Sequence, residues 1–328
     1  MKRDSQILLG VGNGVMAGAL WGGVFIAPQI LKDFLSSQLS AARYLVYGAI
    51  ALILLTTRWR ALSPKLGRRE WLALIWLSLL GNIIYYVLLG RAVQLVGGAS
   101  TSLIIGLLPV VVTLVGARDD GAVALQKLIL PLLLCCIGVG LVGFASLHGH
   151  ASGVGFTSRV LGLLCAFGAL ASWATYAVGN SRCLDRLPDI SAHDWSLLTG
   201  VVTGGFSVIL GAFVLNSPAG HRPIDWVRFW SVSAAVAIFA SIVGNGFWNR
   251  ASRLLPLTMT GQMIVFETLF ALLYGFMWER RLPSATEMAA IVFLIGGVLW
   301  CASIHRSPGE LPRHPIGIAD QSGASIVD

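Results

Sequence analysis

Charge is scarce in this chain of 328 residues: 12% are Asp, Glu, Lys or Arg while 56% are hydrophobic, and soluble domains carry roughly a quarter charged residues. A water-soluble globule is excluded, because the apolar residues at a mean hydropathy of +0.78 exceed what one core can hold beneath a polar surface. Cysteine is equally uninformative as chemistry. Five are present with no C-x-x-C pair, and four fall in or beside apolar runs; they read as small buried hydrophobes, with no disulfide framework and no zinc site. A catalytic constellation is missing too. His148-Gly149-His150 stands in a Gly-rich loop short of further metal ligands, and His193 beside Asp194 and Ser196 reads as a helix start.

The positive balance, +8 at neutral pH, would suggest nucleic acid in a soluble protein. Here Lys and Arg gather in short loops between apolar runs, the pattern of membrane topology, and nucleic acid is discounted as a partner. A bilayer core needs about 20 apolar residues per helix. Ten such runs appear, at about residues 7–30, 39–57, 71–92, 98–117, 126–146, 159–180, 193–215, 229–250, 256–277 and 286–304. Met1-Lys2-Arg3-Asp4 is a weak signal-peptide start, and the long run after it is expected to stay as the first membrane helix. With the N-terminus cytoplasmic, positive residues favour that side by roughly two to one, so both termini are expected there. Arg280-Arg281 is the main dissent. The segment 307–328, rich in Pro and Gly, is expected to be a disordered cytoplasmic tail.

The runs repeat. Ala19-Leu20-Trp21 echoes Ala171-Ser172-Trp173, Arg91-Ala92 echoes Arg250-Ala251, and Ile137-Gly138 echoes Ile295-Gly296. Each half holds five helices, and because five is odd the second half enters the membrane from the opposite side. The expected fold is therefore an all-α integral membrane protein of ten transmembrane helices, two inverted five-helix repeats (1–150 and 151–306) around a central cavity, an architecture found mostly in transporters. An inverted pair encloses a site in one chain, so the protein is expected to work as a monomer.

Some residues need a reason to be in lipid. Glu267 stands mid-span, where an acidic side chain costs about 2.5–3.5 kcal/mol; it is a substrate-amine anchor or proton-coupled carboxyl, or else a structural group satisfied by hydroxyls or Arg43. Arg43, inside the second run, either snorkels to the interface or recognises a substrate carboxylate. Gly10, Gly14, Gly18 and Gly22 share one helix face and predict close packing. Pro28, Pro109 and Pro131 each free a backbone carbonyl within a run. Trp59, Trp71, Trp195, Trp226, Trp230, Trp278 and Trp300 fall near run ends and predict interfacial belts. Trp21, Trp173 and Trp248 lie elsewhere. Asn82, Tyr85, Tyr86 and Leu89 form one polar and aromatic stripe, and Ser241, Asn245, Trp248 and Asn249 another; the two either converge on a cavity or serve as interhelical glue.

Ten runs in two halves, Ala19-Leu20-Trp21-Gly22 in the first run, Arg43-Tyr44 in the second run, and Glu267 where the second half usually carries Glu-Pro resemble the drug/metabolite transporter superfamily, EamA type. The resemblance spans about residues 7–304. Thr268 departs from the Pro after Glu267, which leaves a helix break there in question. Within the family the pattern is most similar to bacterial aromatic amino acid exporters, which implies a bacterial inner-membrane secondary carrier moving aromatic and other apolar amino acids outward by alternating access. Such a substrate wants aromatic walls, a few polar contacts and little fixed charge. Trp21, Tyr86, Trp173 and Trp248 are the candidate walls; Asn82, Ser102, Asn245 and Gln262 the candidate polar contacts; Arg43 and Glu267 the candidate charges. The expected partners are this small-molecule substrate and the bilayer, with no cofactor. Two other readings are a carrier of drugs, nucleosides or other small metabolites, and an intramembrane enzyme on lipid-linked substrates. Sugar nucleotides would want several cavity cations where only Arg43 is available, and an enzyme would want a second acidic partner for Glu267.

Overall fold

A computed structural model of the chain describes residues 2–108, 110–111, 125–148, 155–215, 221–254 and 257–304. Among the described residues all regular structure is helical. The helices are α1 (Lys2–Gly22), α2 (Ser36–Thr56), α3 (Arg68–Ser78), α4 (Tyr85–Val96), α5 (Gly98–Ile105), α6 (Leu125–His148), α7 (Phe156–Asp185), α8 (Ala192–Val214), α9 (Pro223–Val236), α10 (Asn245–Leu254), α11 (Leu257–Glu279) and α12 (Ala285–Ile304). Among the described residues six stretches are long and apolar enough to cross a bilayer: Gln6–Ile30, Ser36–Thr56, Arg68–Val96, Phe156–Leu184, His193–Val214 and Pro223–Trp248. Ile129–Val142 and Ala285–Trp300 are shorter apolar helices. The fourth expected run is helical over α5; residues 112–124, Pro109, Gly149-His150 and the tail from 307 lie outside the described residues.

Two features interrupt these helices. The first run breaks after α1 into a short 3-10 turn, Gly23–Phe25, and a single helical turn, Ala27–Ile30, that Pro28 begins. Pro there needs no N–H, since the first turn of a helix leaves its amides unpaired. By contrast Pro131 lies inside an unbroken α6, and α11 runs straight through Glu267 and Thr268. Gly97 turns the chain from α4 into α5 at φ 85°, a backbone region that side chains with a Cβ resist.

The second feature is a pair of π-helical stretches, Leu79–Ile84 between α3 and α4 and Ala237–Gly244 between α9 and α10. A π turn widens the helix and releases carbonyls from the ordinary ladder. The register that lays Arg91 on Arg250 lays the first stretch inside the second. In both, a backbone carbonyl accepts a hydrogen bond from a side chain in the other half of the chain. Ser172 Oγ of α7 donates to Leu80 O at 2.7 Å, and Trp21 Nε1 of α1 donates to Ala240 O at 3.0 Å.

Small residues set the packing. The expected glycine face of α1 meets α11: a Cβ on Gly14 would strike Met263, one on Gly18 would lie 2.8–2.9 Å from Phe266 and the Glu267 amide, and one on Gly22 would strike Phe270 and the Ala271 amide. α2 and α8 touch backbone to backbone at Gly48 and Gly204, while α6 and α12 interlock through Gly138 against Leu294 and Gly297 against Cys135. Large apolar side chains such as Leu8, Ile53, Leu164, Phe213 and Val292 are left exposed on the outside, where only lipid would tolerate so many.

The tryptophans expected near run ends divide by burial. Trp59, Trp71, Trp230, Trp278 and Trp300 are exposed, but Trp195 is 2% exposed and donates its Nε1 to Asn180 Oδ1 at 2.9 Å. It is a core residue, because α8 begins at Ala192 with this turn already inside the bundle. Trp226 is half-buried among Phe34, His221 and Phe229.

The α1–α11 contact generates a test. Gly18→Val is expected to lower unfolding stability in detergent by about 1–3 kcal/mol, the usual cost of overpacking, whereas Gly12→Ala, where an added Cβ meets nothing within 4 Å, leaves the melting temperature unchanged.

Candidate functional site

Arg43 projects from α2 into the bundle and is 8% exposed. Snorkelling is thereby overturned: the side chain runs inward to the opposing π stretch, where Nη2 donates to Ser241 Oγ at 3.1 Å. The guanidinium carbon lies 4.4 Å from the Tyr86 ring centroid and 5.0 Å from that of Tyr44, and the two rings pack edge to face at 5.9 Å. A cation over desolvated aromatic faces recovers about 2 kcal/mol. That is a partial return, because Nε and Nη1 have no hydrogen-bond partner. The Tyr86 hydroxyl interacts electrostatically with the guanidinium but makes no hydrogen bond of acceptable geometry to it.

Glu267 sits on α11 beside Gly18 of α1, half-buried. Its carboxyl is in electrostatic range of Arg43 and Tyr85. Among the described residues no side chain is hydrogen-bonded or ion-paired to it, Arg43 included. Aromatic rings pair off. Trp21 meets Trp248 at 5.2 Å, and Tyr85 meets Trp173 at 6.4 Å with Tyr176 beyond at 5.9 Å.

The structure thus brings together Arg43, Tyr86 and, through electrostatic range, Glu267; it pairs Trp21 with Trp248 and places Trp173 against Tyr85. Other expected residues serve the scaffold. Asn82 Nδ2 donates to Thr203 Oγ1 of α8 at 3.1 Å, and Ser102, fully buried, donates to Ala99 O in its own helix at 2.9 Å. Asn245 Nδ2 caps the Ser241 carbonyl at 2.8 Å, directly beneath the hydroxyl that receives Arg43. The side chain of Gln262 lies outside the described residues. Tyr44, Tyr85 and Ser241 belong to the cluster and were not among the candidates, although Tyr44 adjoins Arg43 and the other two stand on the expected stripes.

Two hollows are defined elsewhere. One of about 100 Å³ opens between Arg69, Glu70, Cys183, Arg186 and Trp195, and one of about 10 Å³ lies beside Gly106, Thr268 and Leu294. Neither touches Arg43, which its flanking rings enclose. The helix start near His193 is capped by Ser191, whose Oγ accepts from the Asp194 amide at 3.1 Å. Asp194 instead binds Arg58 side-on, Nε at 2.6 Å and Nη2 at 3.0 Å. Among the described residues no three His, Cys, Asp or Glu side chains are grouped to hold a metal.

A family model described as the EamA-like transporter family matches residues 8–146 and again residues 160–303. The chain belongs to that family. Similar proteins include the Inner membrane protein YtfF of Escherichia coli (strain K12), 35% identical over 89% of this chain and 94% of that protein. The Uncharacterized transporter YyaM of Bacillus subtilis (strain 168) is 21% identical over 94% of this chain and 97% of its own length. A solved structure, described only as the crystal structure of a protein, superposes with a TM-score of 0.61 at 18% identity over 93% of this chain and 99% of the other, a likeness of fold. This EamA-like protein is accordingly a multi-pass membrane transporter. The relatives' names specify no amino acid as cargo, so the resemblance to aromatic amino acid exporters is upheld at the level of the family.

A buried cation with unpaired donors costs the fold more than an apolar side chain of similar size. Arg43→Met is therefore expected to raise the thermal stability of the ligand-free transporter in detergent, by about 1–3 kcal/mol, while abolishing flux. A melting temperature that falls with the same substitution makes Arg43 a structural residue.

Proposed function

We propose that this transporter is a bacterial inner-membrane secondary exporter of amino acids with aromatic and other apolar side chains, working as a monomer by alternating access around a central site. The observation that carries the reading is Arg43: a buried, permanently charged side chain on α2, held against the π stretch of the other half of the chain with two nitrogens unpaired and ringed by tyrosines. A transport protein has use for such a group, and a purely structural bundle does not.

The two-repeat reading, residues 1–150 and 151–306 related by inversion, is supported by the double family match and by the recurrence of the π stretches at matching positions. The exchanged hydrogen bonds support it further, since the first helix of each half caps a π carbonyl in the other. A cytoplasmic position for both termini rests on the Lys and Arg bias of the loops. Tyr86, Trp21, Trp248 and Trp173 supply aromatic walls, and one charge of each sign keeps ionic capture weak enough for release.

Reconstituted into liposomes loaded with labelled phenylalanine or methionine, the protein is expected to release the label several-fold faster than protein-free vesicles do. Release at the protein-free rate for both, with flux of a nucleoside or cationic drug in the same vesicles, replaces the amino acid reading with the broader metabolite one.

A further inference from the structure

Arg43 and Glu267 form an unclosed circuit. They are opposite charges on two helices, α2 and α11, inside a membrane and in electrostatic range of each other. Contact between them would satisfy both. Yet among the described residues no carboxylate stands within ion-pair distance of Arg43, and its fork keeps free N–H donors on two of three nitrogens. Burial of a guanidinium is tolerated when a carboxylate or comparable acceptor completes its hydrogen bonds. Something with an acceptor belongs there.

The signs of the two charges restrict what that is. A simple anion is drawn by Arg43 and repelled by Glu267, and a simple amine suffers the reverse. A dipolar solute, with carboxylate and ammonium on one carbon, satisfies both poles and leaves the site neutral, which suits an environment where net charge is costly. We infer that Arg43 binds the substrate carboxylate and Glu267 the substrate ammonium, so that the transporter selects α-amino acids by their zwitterionic backbone, leaving the rings of Tyr44, Tyr85 and Tyr86 to receive an apolar side chain. This deepens the exporter reading and rests on it.

The test is inhibition of labelled phenylalanine counterflow in proteoliposomes by three unlabelled ligands: phenylalanine, phenylalaninamide (no carboxylate) and 3-phenylpropanoate (no ammonium). In the unmodified protein each truncated ligand is expected to inhibit about tenfold more weakly or worse, the loss of one charge-assisted contact. Arg43→Gln is expected to close the gap between phenylalanine and the amide while keeping the gap to phenylpropanoate; Glu267→Gln is expected to do the opposite. A purely structural role would lower activity without exchanging these preferences. Equal inhibition by all three ligands in the unmodified protein overturns the inference, as does an Arg43→Gln protein that still prefers phenylalanine to its amide by the original factor. Should both variants be inactive, the unmodified protein alone decides. Absence of any phenylalanine counterflow in that protein removes the exporter reading and this inference with it; counterflow that ignores the charged groups removes this inference only.

Discussion

Inside a bilayer a polar group has no water to turn to, so every carbonyl and charge must find its partner in the protein. Much of this structure follows from that constraint. The π stretches Leu79–Ile84 and Ala237–Gly244 each leave backbone oxygens outside the helical ladder, and in each case a side chain from the other half of the chain arrives to take one: Ser172 for Leu80, Trp21 for Ala240. Asn245 takes the Ser241 carbonyl from within its own helix. The irregular turns thus act as docking points, for α7 at Leu79–Ile84 and for α1 at Ala237–Gly244. Loss of regularity in one helix is compensated by specificity between two.

Seen against this completeness, Arg43 stands out because its partners are incomplete. Other charges are neutralised where they meet the protein: Asp194 by Arg58 at 2.6 Å, and Glu287 by Arg281 at 2.6 Å near the start of α12. Lipid-exposed surfaces carry Leu, Ile, Val and Phe. Against the second π stretch, by contrast, Arg43 of α2 is buried with two nitrogens unpaired, and Glu267 of α11 is an acid that no described side chain pairs. Stability argues for apolar residues at both positions, and their presence makes the site costly to the fold. Costs of this kind concentrate where a ligand completes the arrangement.

The sequence made the membrane class, the apolar runs and the glycine face of α1 legible, because length, charge scarcity and a four-residue spacing carry them directly. The repeat was visible in Trp21 and Trp173 and in Arg91 and Arg250. Side-chain direction was not legible, and for a physical reason. In water an apolar face marks the inside of a helix, but in lipid the outside is apolar as well, so the pattern loses its sign. That is why Trp195 reads as interfacial yet is buried, and why Arg43 is ambiguous between snorkelling and facing inward. The π stretches have no composition signal: Leu-Leu-Gly-Asn-Ile-Ile and Ala-Ile-Phe-Ala-Ser-Ile-Val-Gly propagate an α-helix as readily as a wider turn. The Arg43–Ser241 contact, 198 residues apart, depends on how two helices cross, which no local spacing encodes.

The arrangement also bears on motion. α1 contacts α11 through glycines whose added Cβ atoms would strike backbone or side-chain stems, so the interface has few knobs to lift out of holes before one helix slides along the other. α2 meets α8 in the same fashion at Gly48 and Gly204. Between these smooth contacts stand the two π stretches, where wider turns already accommodate bending and where Arg43 and Trp21 are anchored. A change of angle at Ala237–Gly244 would move the Ser241 hydroxyl and the Ala240 carbonyl together, and with them the groups that hold Arg43 and Trp21 in place. The position of Arg43 and the inclination of the helix that carries Ser241 are in this way mechanically coupled, so that whatever shifts the guanidinium also biases the bend.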